Sequence, residues 1–159
     1  MNGKARHGSR PRTVREQGFT LIELLIVVAI IGLIASIAVV NLLNAVDKAK
    51  QKRTMADIRT IGVAVEAYST DNARYPQGVA TWPGLKVIIN PHFMREPPDV
   101  DGWQNGWEVD AVTGVDYTLV SEGKDGAIGP RTGGQTGYFD CDILFVNGRF
   151  YQWPTGTQT

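Results

Sequence analysis

GFTLIELLIVVAIIGLIASIAVV, Gly18 to Val40, is apolar almost throughout, yet it carries one carboxylate, Glu23, near its start. Crossing about 30 Å of hydrocarbon takes roughly 20 apolar residues at a rise of about 1.5 Å each. Phe19 to Val40 is long enough, and apart from Glu23 only Thr20, Gly32 and Ser36 interrupt it. Thr20 and Glu23 have the spacing of a capping box, in which the threonine oxygen and the glutamate satisfy the free N–H groups at a helix start. An acid in the first turn also suits the positive end of the helix dipole, by about 0.3–1 kcal/mol.

The flanks give the stretch a direction. Before it stand Lys4, Arg6, Arg10, Arg12 and Arg15 against the single acid Glu16. A basic N-terminal flank stays in the cytoplasm, which puts the C-terminus outside. Lys48, Lys50, Lys52 and Arg53 follow the run but lie farther from its edge than Arg15 does. The apolar run exceeds the 7–15 residues or so of a secretory signal peptide, and no small-x-small cleavage site follows it. The small residue, Gly18, precedes it, so cleavage there would remove the basic leader and leave the apolar helix on the mature chain.

The bulk numbers agree. The chain has 159 residues, a formal net charge of +0 and a single cysteine, Cys141, which rules out an intramolecular disulfide framework. From Pro76 onward five Lys/Arg face ten Asp/Glu, a poor match for nucleic acid. Two histidines and one cysteine leave little for a zinc site. His7 lies in the leader, and His92 and Ser121 sit in no catalytic spacing, with neither nucleophile elbow nor phosphate loop; the chain is not expected to be an enzyme.

Arg15-Glu-Gln-Gly-Phe-Thr-Leu-Ile-Glu23 followed by the apolar run resembles the prepilin-peptidase motif of the type IV pilin and type II secretion pseudopilin family. The resemblance implies cleavage between Gly18 and Phe19, N-methylation of Phe19, and pairing of Glu23 with the N-terminal amine of a neighbouring subunit during assembly. Capping alone explains Glu23 without a partner. Its position about 6 Å into the apolar helix is the argument for both roles, because a carboxylate in lipid is costly.

Downstream, Leu42, Leu43, Val46, Ala49, Met55, Ile58, Ile61, Val65 and Tyr68 recur in mixed three- and four-residue steps, as one face of a helix does. No proline occurs from Phe19 to Arg74. The reading is one helix of about 50 residues. Lys48, Lys50, Lys52 and Arg53 form a solvated face of it, with contact to lipid headgroups or an acidic neighbour as the alternative. The family often has a proline where Val40 stands.

From Tyr75 the texture becomes short β-like runs punctuated by Gly, Pro, Asn and Asp. Asp142 to Val146, Asn147-Gly148 and Arg149 to Trp153 predict a hairpin on a type I′ turn. Trp107 to Asp110 and Val115 to Val120 around Thr113-Gly114 predict a second. Trp82, Trp103, Trp107, Phe145, Phe150, Tyr151 and Trp153 are expected to pack core and loops, and Cys141 to be a buried small hydrophobe.

The segments Asp71 to Pro76, Asp101 to Trp107 and Leu119 to Gly126 resemble those of the major, G-type pseudopilins, with Gly102 and Gly106 in place of two prolines. The resemblance implies calcium in the last loop, at Asp125 and the nearest later carboxylates, Asp140 and Asp142. Calcium takes about six to eight oxygens, and a glycine-rich loop can turn carbonyls toward it. Asp125-Gly126 is equally a good turn without a metal, and Ala127 to Tyr138 lacks acids.

The expected fold is α+β: a long N-terminal helix, membrane half plus amphipathic half, packed on a small antiparallel sheet of about four strands. Residues 1–18 read as a cytoplasmic leader, 19–40 as transmembrane and assembly helix, 41–74 as its amphipathic continuation and 75–159 as a periplasmic β-rich domain. The function implied is a filament subunit of the type II secretion pseudopilus in the bacterial inner membrane. Its implied partners are copies of itself, minor pseudopilins, the prepilin peptidase and the inner-membrane assembly platform. A type IV pilin of a surface filament and a membrane-tethered binding domain that does not polymerise are the alternatives.

Overall fold

The computed structural model describes residues 18–156, Val112 by its backbone alone. The basic leader with Arg15 lies outside the described residues. The elements are α1 (Leu21–Asn72), β1 (Gln77–Val79), α2 (Trp82–Ile89), β2 (Glu108–Thr113), β3 (Thr118–Ser121), β4 (Gly134–Thr136), β5 (Ile143–Val146) and β6 (Arg149–Pro154). Two compact units divide the chain at Val39/Val40.

In the first unit, α1 is one turn of exposed apolar side chains after another among the described residues. Leu21 is 88% exposed, and the most apolar window of the helix buries none of its surface within the chain. By length and composition this is a helix able to cross a membrane.

The second unit is built around the later part of α1. Ile58, Ile61, Ala64 and Val65 are buried with Leu85 and Ile89 of α2 and Val109, Leu119 and Phe145 of the sheet. Gly62 is the point of closest approach, since a Cβ there would lie 2.3 Å from Cε1 of Phe145. Both expected hairpins form. β5 and β6 pair antiparallel with Val146 opposite Arg149, and Asn147 and Gly148 take φ of 46° and 80°, as a type I′ turn demands. β2 and β3 pair antiparallel with Val109 opposite Leu119.

The sheet is larger and more mixed than the expected four antiparallel strands. Among the described residues it has six, in the order β1-β2-β3-β5-β6-β4, and β4 runs parallel to β6. The additions, β1 and β4, are three residues long and close the two edges, too short to show a period of two. The short helix α2, with Pro83 in its first turn, is a further element beyond the expected pattern.

The packed face of α1 also differs from the apolar face read in sequence. Leu42, Leu43 and Val46 are exposed, at 63%, 59% and 42%. The sheltered stripe runs instead through Asn44, Asp47, Gln51, Thr54, Ile58, Ile61 and Val65, a regular three- and four-residue progression that turns polar toward its N-terminal end. Lys48, Lys50, Lys52 and Arg53 are exposed beside it. Of the aromatic group, Trp82, Trp107 and Phe145 are buried, whereas Tyr151 is exposed.

Candidate functional site

Polar constellations stand out in both units. The first is the start of α1. Glu23 N–H donates to Thr20 Oγ1 at 3.2 Å, while the Thr20 amide and hydroxyl both donate to Glu23 Oε2, at 2.9 and 2.7 Å. The capping box is therefore fully made. All of it falls on one carboxylate oxygen; among the described residues nothing donates to Glu23 Oε1. Immediately before the cap, Gly18 and Phe19 are non-helical and exposed, Phe19 at 82%. The Gly18–Phe19 bond thus lies outside the helix on exposed chain.

The second constellation ties the loops after α2 to α1 and to the sheet. Asp101 is fully buried and satisfied three times over. Its Oδ1 accepts the amides of Trp103 (2.8 Å) and Asn105 (2.9 Å), and its Oδ2 accepts the Ser121 hydroxyl at 2.6 Å. Asn105 Nδ2 in turn donates to the Gly123 carbonyl at 2.7 Å. Gly102, where the resemblance expects proline, donates its N–H to Thr54 Oγ1 of α1 at 2.9 Å. A proline has no such donor. Lys124 completes the tie with an ion pair to Asp47 of α1 at 2.8 Å, which raises the lysine pKa.

The calcium expectation rests on Asp125, Asp140 and Asp142. Among the described residues no group of three or more His, Cys, Asp or Glu side chains is arranged around a shared ion. Asp125 Oδ1 accepts the Ala127 amide at 3.2 Å, closing its own turn, and Asp140 is exposed. Asp142 is fully buried, and both its oxygens are taken. Oδ1 accepts the Gly129 amide at 3.1 Å, and Oδ2 accepts Arg131 Nε at 2.9 Å. The far side of the Arg131 guanidinium forks onto both oxygens of Glu108, and this hydrogen bonding holds the Glu108 carboxyl below its ordinary value. A calcium ion at Asp142 would have to displace the guanidinium, so this buried aspartate does not fit that ion.

A third polar knot lies at the C-terminal end of α1. Glu66 accepts the hydroxyls of Tyr75 (3.2 Å) and Tyr117 (3.0 Å), and Tyr117 Oη accepts the Gly148 amide at 3.0 Å. Burial, followed by the Glu66 charge, pushes the Tyr117 phenol far above its ordinary value. The knot fixes the type I′ turn against the helix.

The sequence singles out Glu23 and Thr20, and Asp101 as the start of a family-like segment, but not Thr54 or Arg131. Asp101 carried a usable signal, since Asp followed by a turn and Asn105 is an Asx-type loop. Arg131 carried none.

Known proteins align with both units. Residues 14–39 match the family model described as the prokaryotic N-terminal methylation motif, and residues 41–136 match that of type II secretion system protein G. A protein of Klebsiella michiganensis named type II secretion system core protein G is 35% identical over 136 residues, 79% of this chain and 88% of its own. The protein of that name in Dickeya chrysanthemi is 34% identical over 136 residues, 80% and 83% of the two chains. That of Escherichia coli K12 is 32% identical over 144 residues, 85% and 92%. No solved structure matches the chain.

Proposed function

The chain belongs to the type II secretion system protein G family, and on that premise we propose that it is the membrane-anchored major subunit of a pseudopilus, processed at Gly18/Phe19 and polymerised through α1. The observation that carries this reading is the exposed apolar segment of α1 behind a completed cap. A run of large exposed apolar side chains is stable only in lipid or against other apolar helices.

The two environments follow one another. Before processing, the segment spans the inner membrane, with the basic leader in the cytoplasm and residues 75–159 in the periplasm. Cutting after Gly18 frees an ammonium on Phe19, and methylation keeps its charge while adding apolar surface. Glu23 spends Oε2 on its own cap and has Oε1 left to receive that ammonium from a neighbouring copy. Pairing offsets part of the cost of both charges in an apolar surrounding and fixes the axial register of one helix against the next. The prepilin peptidase, the assembly platform and minor pseudopilins are the partners this cycle requires. Its role is structural rather than catalytic.

Mass spectrometry of the membrane-extracted chain tests the processing step. The mature protein is expected to start at N-methylated Phe19; an intact leader would leave only a tethered domain. Deleting the gene separates the machines, since a pseudopilus subunit costs the cell protein secretion and a surface pilin costs it surface filaments.

A further inference from the structure

Asp142 poses a question of charge. Its side chain is fully buried, and a carboxylate taken out of water needs a countercharge and a full set of hydrogen bonds. We propose that Arg131 is the resident cation of the loop 122–142, so that this chain closes the loop with its own guanidinium and takes no divalent ion there.

The geometry is that of a built site. Arg131 Nε bonds Asp142 Oδ2 at 2.9 Å and Nη1 bonds Glu108 Oε1 at 3.0 Å, with Nη2 on Glu108 Oε2. One planar group thus joins the loop to the foot of β5 and to the first residue of β2. Lysine, a point charge, could not reach both carboxylates in that way. The two carboxylates, Glu108 foremost, also hold the guanidinium charged more firmly than usual.

The loop backbone is committed as well. Gln152 on β6 is buried; its Nε2 donates to the carbonyls of Pro130 (3.1 Å) and Asp142 (2.9 Å), and its Oε1 accepts the Gly133 amide at 3.1 Å. Gln152 therefore positions the residues on both sides of Arg131. It also occupies carbonyl oxygens of the kind a calcium ion would use as ligands. Lys124, whose amide donates to the Phe139 carbonyl at 3.0 Å, brings a second cation to the same segment, paired with Asp47 at 2.8 Å. A divalent ion would meet two fixed cations and oxygens already bonded to N–H groups. These contacts belong to the second unit alone and stand whether or not the chain polymerises.

Thermal unfolding of the full chain in detergent, followed by tryptophan fluorescence, tests the assignment. The wild-type Tm is expected to be the same in excess calcium chloride and in EGTA. Arg131→Gln, which leaves Asp142 buried without its partner, is expected to lower Tm by about 10 °C. Arg131→Lys keeps the charge and loses the fork, and is expected to fall between the two. A wild-type Tm that rises with calcium overturns the proposal, as does an Arg131→Gln chain as stable as wild type. If Arg131→Gln does not fold, the wild-type comparison and Arg131→Lys still decide it.

Discussion

The hydroxyl of Thr54 and the amide of Gly102 are hydrogen-bonded at 2.9 Å across 48 positions of sequence. Thr54 Oγ1 also donates to the Lys50 carbonyl one turn earlier, so a single buried oxygen serves both the helix and the loop laid on it. The loop comes close enough that a Cβ on Gly102 would stand 2.2 Å from that same Lys50 carbonyl oxygen.

Gly102→Pro therefore brings a clash and removes the donor together. The expected loss of stability is about 3 kcal/mol, the sum of overpacking and an unsatisfied buried group. Urea unfolding of the detergent-solubilised chain, read by tryptophan fluorescence, measures it. Thr54→Val, which keeps the volume, should cost about 1–2 kcal/mol.

Tyr117→Phe removes the donor to Glu66 and leaves the Gly148 amide without its acceptor. The expected cost is about 1–3 kcal/mol. Amide hydrogen exchange should localise the change to the Asn147–Gly148 turn, and unaltered protection there would contradict this account of the knot.

The same phenol sets an alkaline limit. Its folded pKa is raised, as is that of Tyr75, so the folded state favours the protonated forms. Their contribution is complete below the ordinary value of 10.0 and drains away as pH rises beyond it toward the folded value. The urea midpoint should fall above about pH 10, and less steeply in Tyr117→Phe.

At the acid end the sign reverses. Glu108 is held below its ordinary 4.5, chiefly by hydrogen bonds from Arg131. That contribution is present above pH 4.5 and is lost as pH falls through the depressed folded value. Glu108→Gln should flatten this part of the pH profile of Tm while leaving the alkaline limb unchanged.

Much of this was written plainly in the chain. The Gly18 to Val40 run, the Thr20/Glu23 spacing and Asn147-Gly148 each depend on local chemistry, which a short window contains. The packed face of α1 was not legible at its polar end. Asp47 and Thr54 are sheltered only because Lys124 and Gly102 come to them from far along the chain, whereas the apolar Leu42, Leu43 and Val46 are exposed. Arg131 stands in a stretch without acids, Ala127 to Tyr138, and only the fold brings Glu108 and Asp142 to its two sides. β1 and β4 exist through their neighbours' edges rather than through any pattern of their own.

The central claim is that Glu23 carries a second duty beyond its cap, pairing with the Phe19 amine of the next subunit. Electron microscopy of filaments formed by Glu23→Gln, in cells lacking the wild-type copy, tests it most directly. Glutamine retains a Thr20 contact and the helix, so the subunit should still be cut after Gly18 and inserted in the membrane, and filaments should be absent or sparse. Filaments of wild-type number and length would contradict the pairing and reduce Glu23 to a cap.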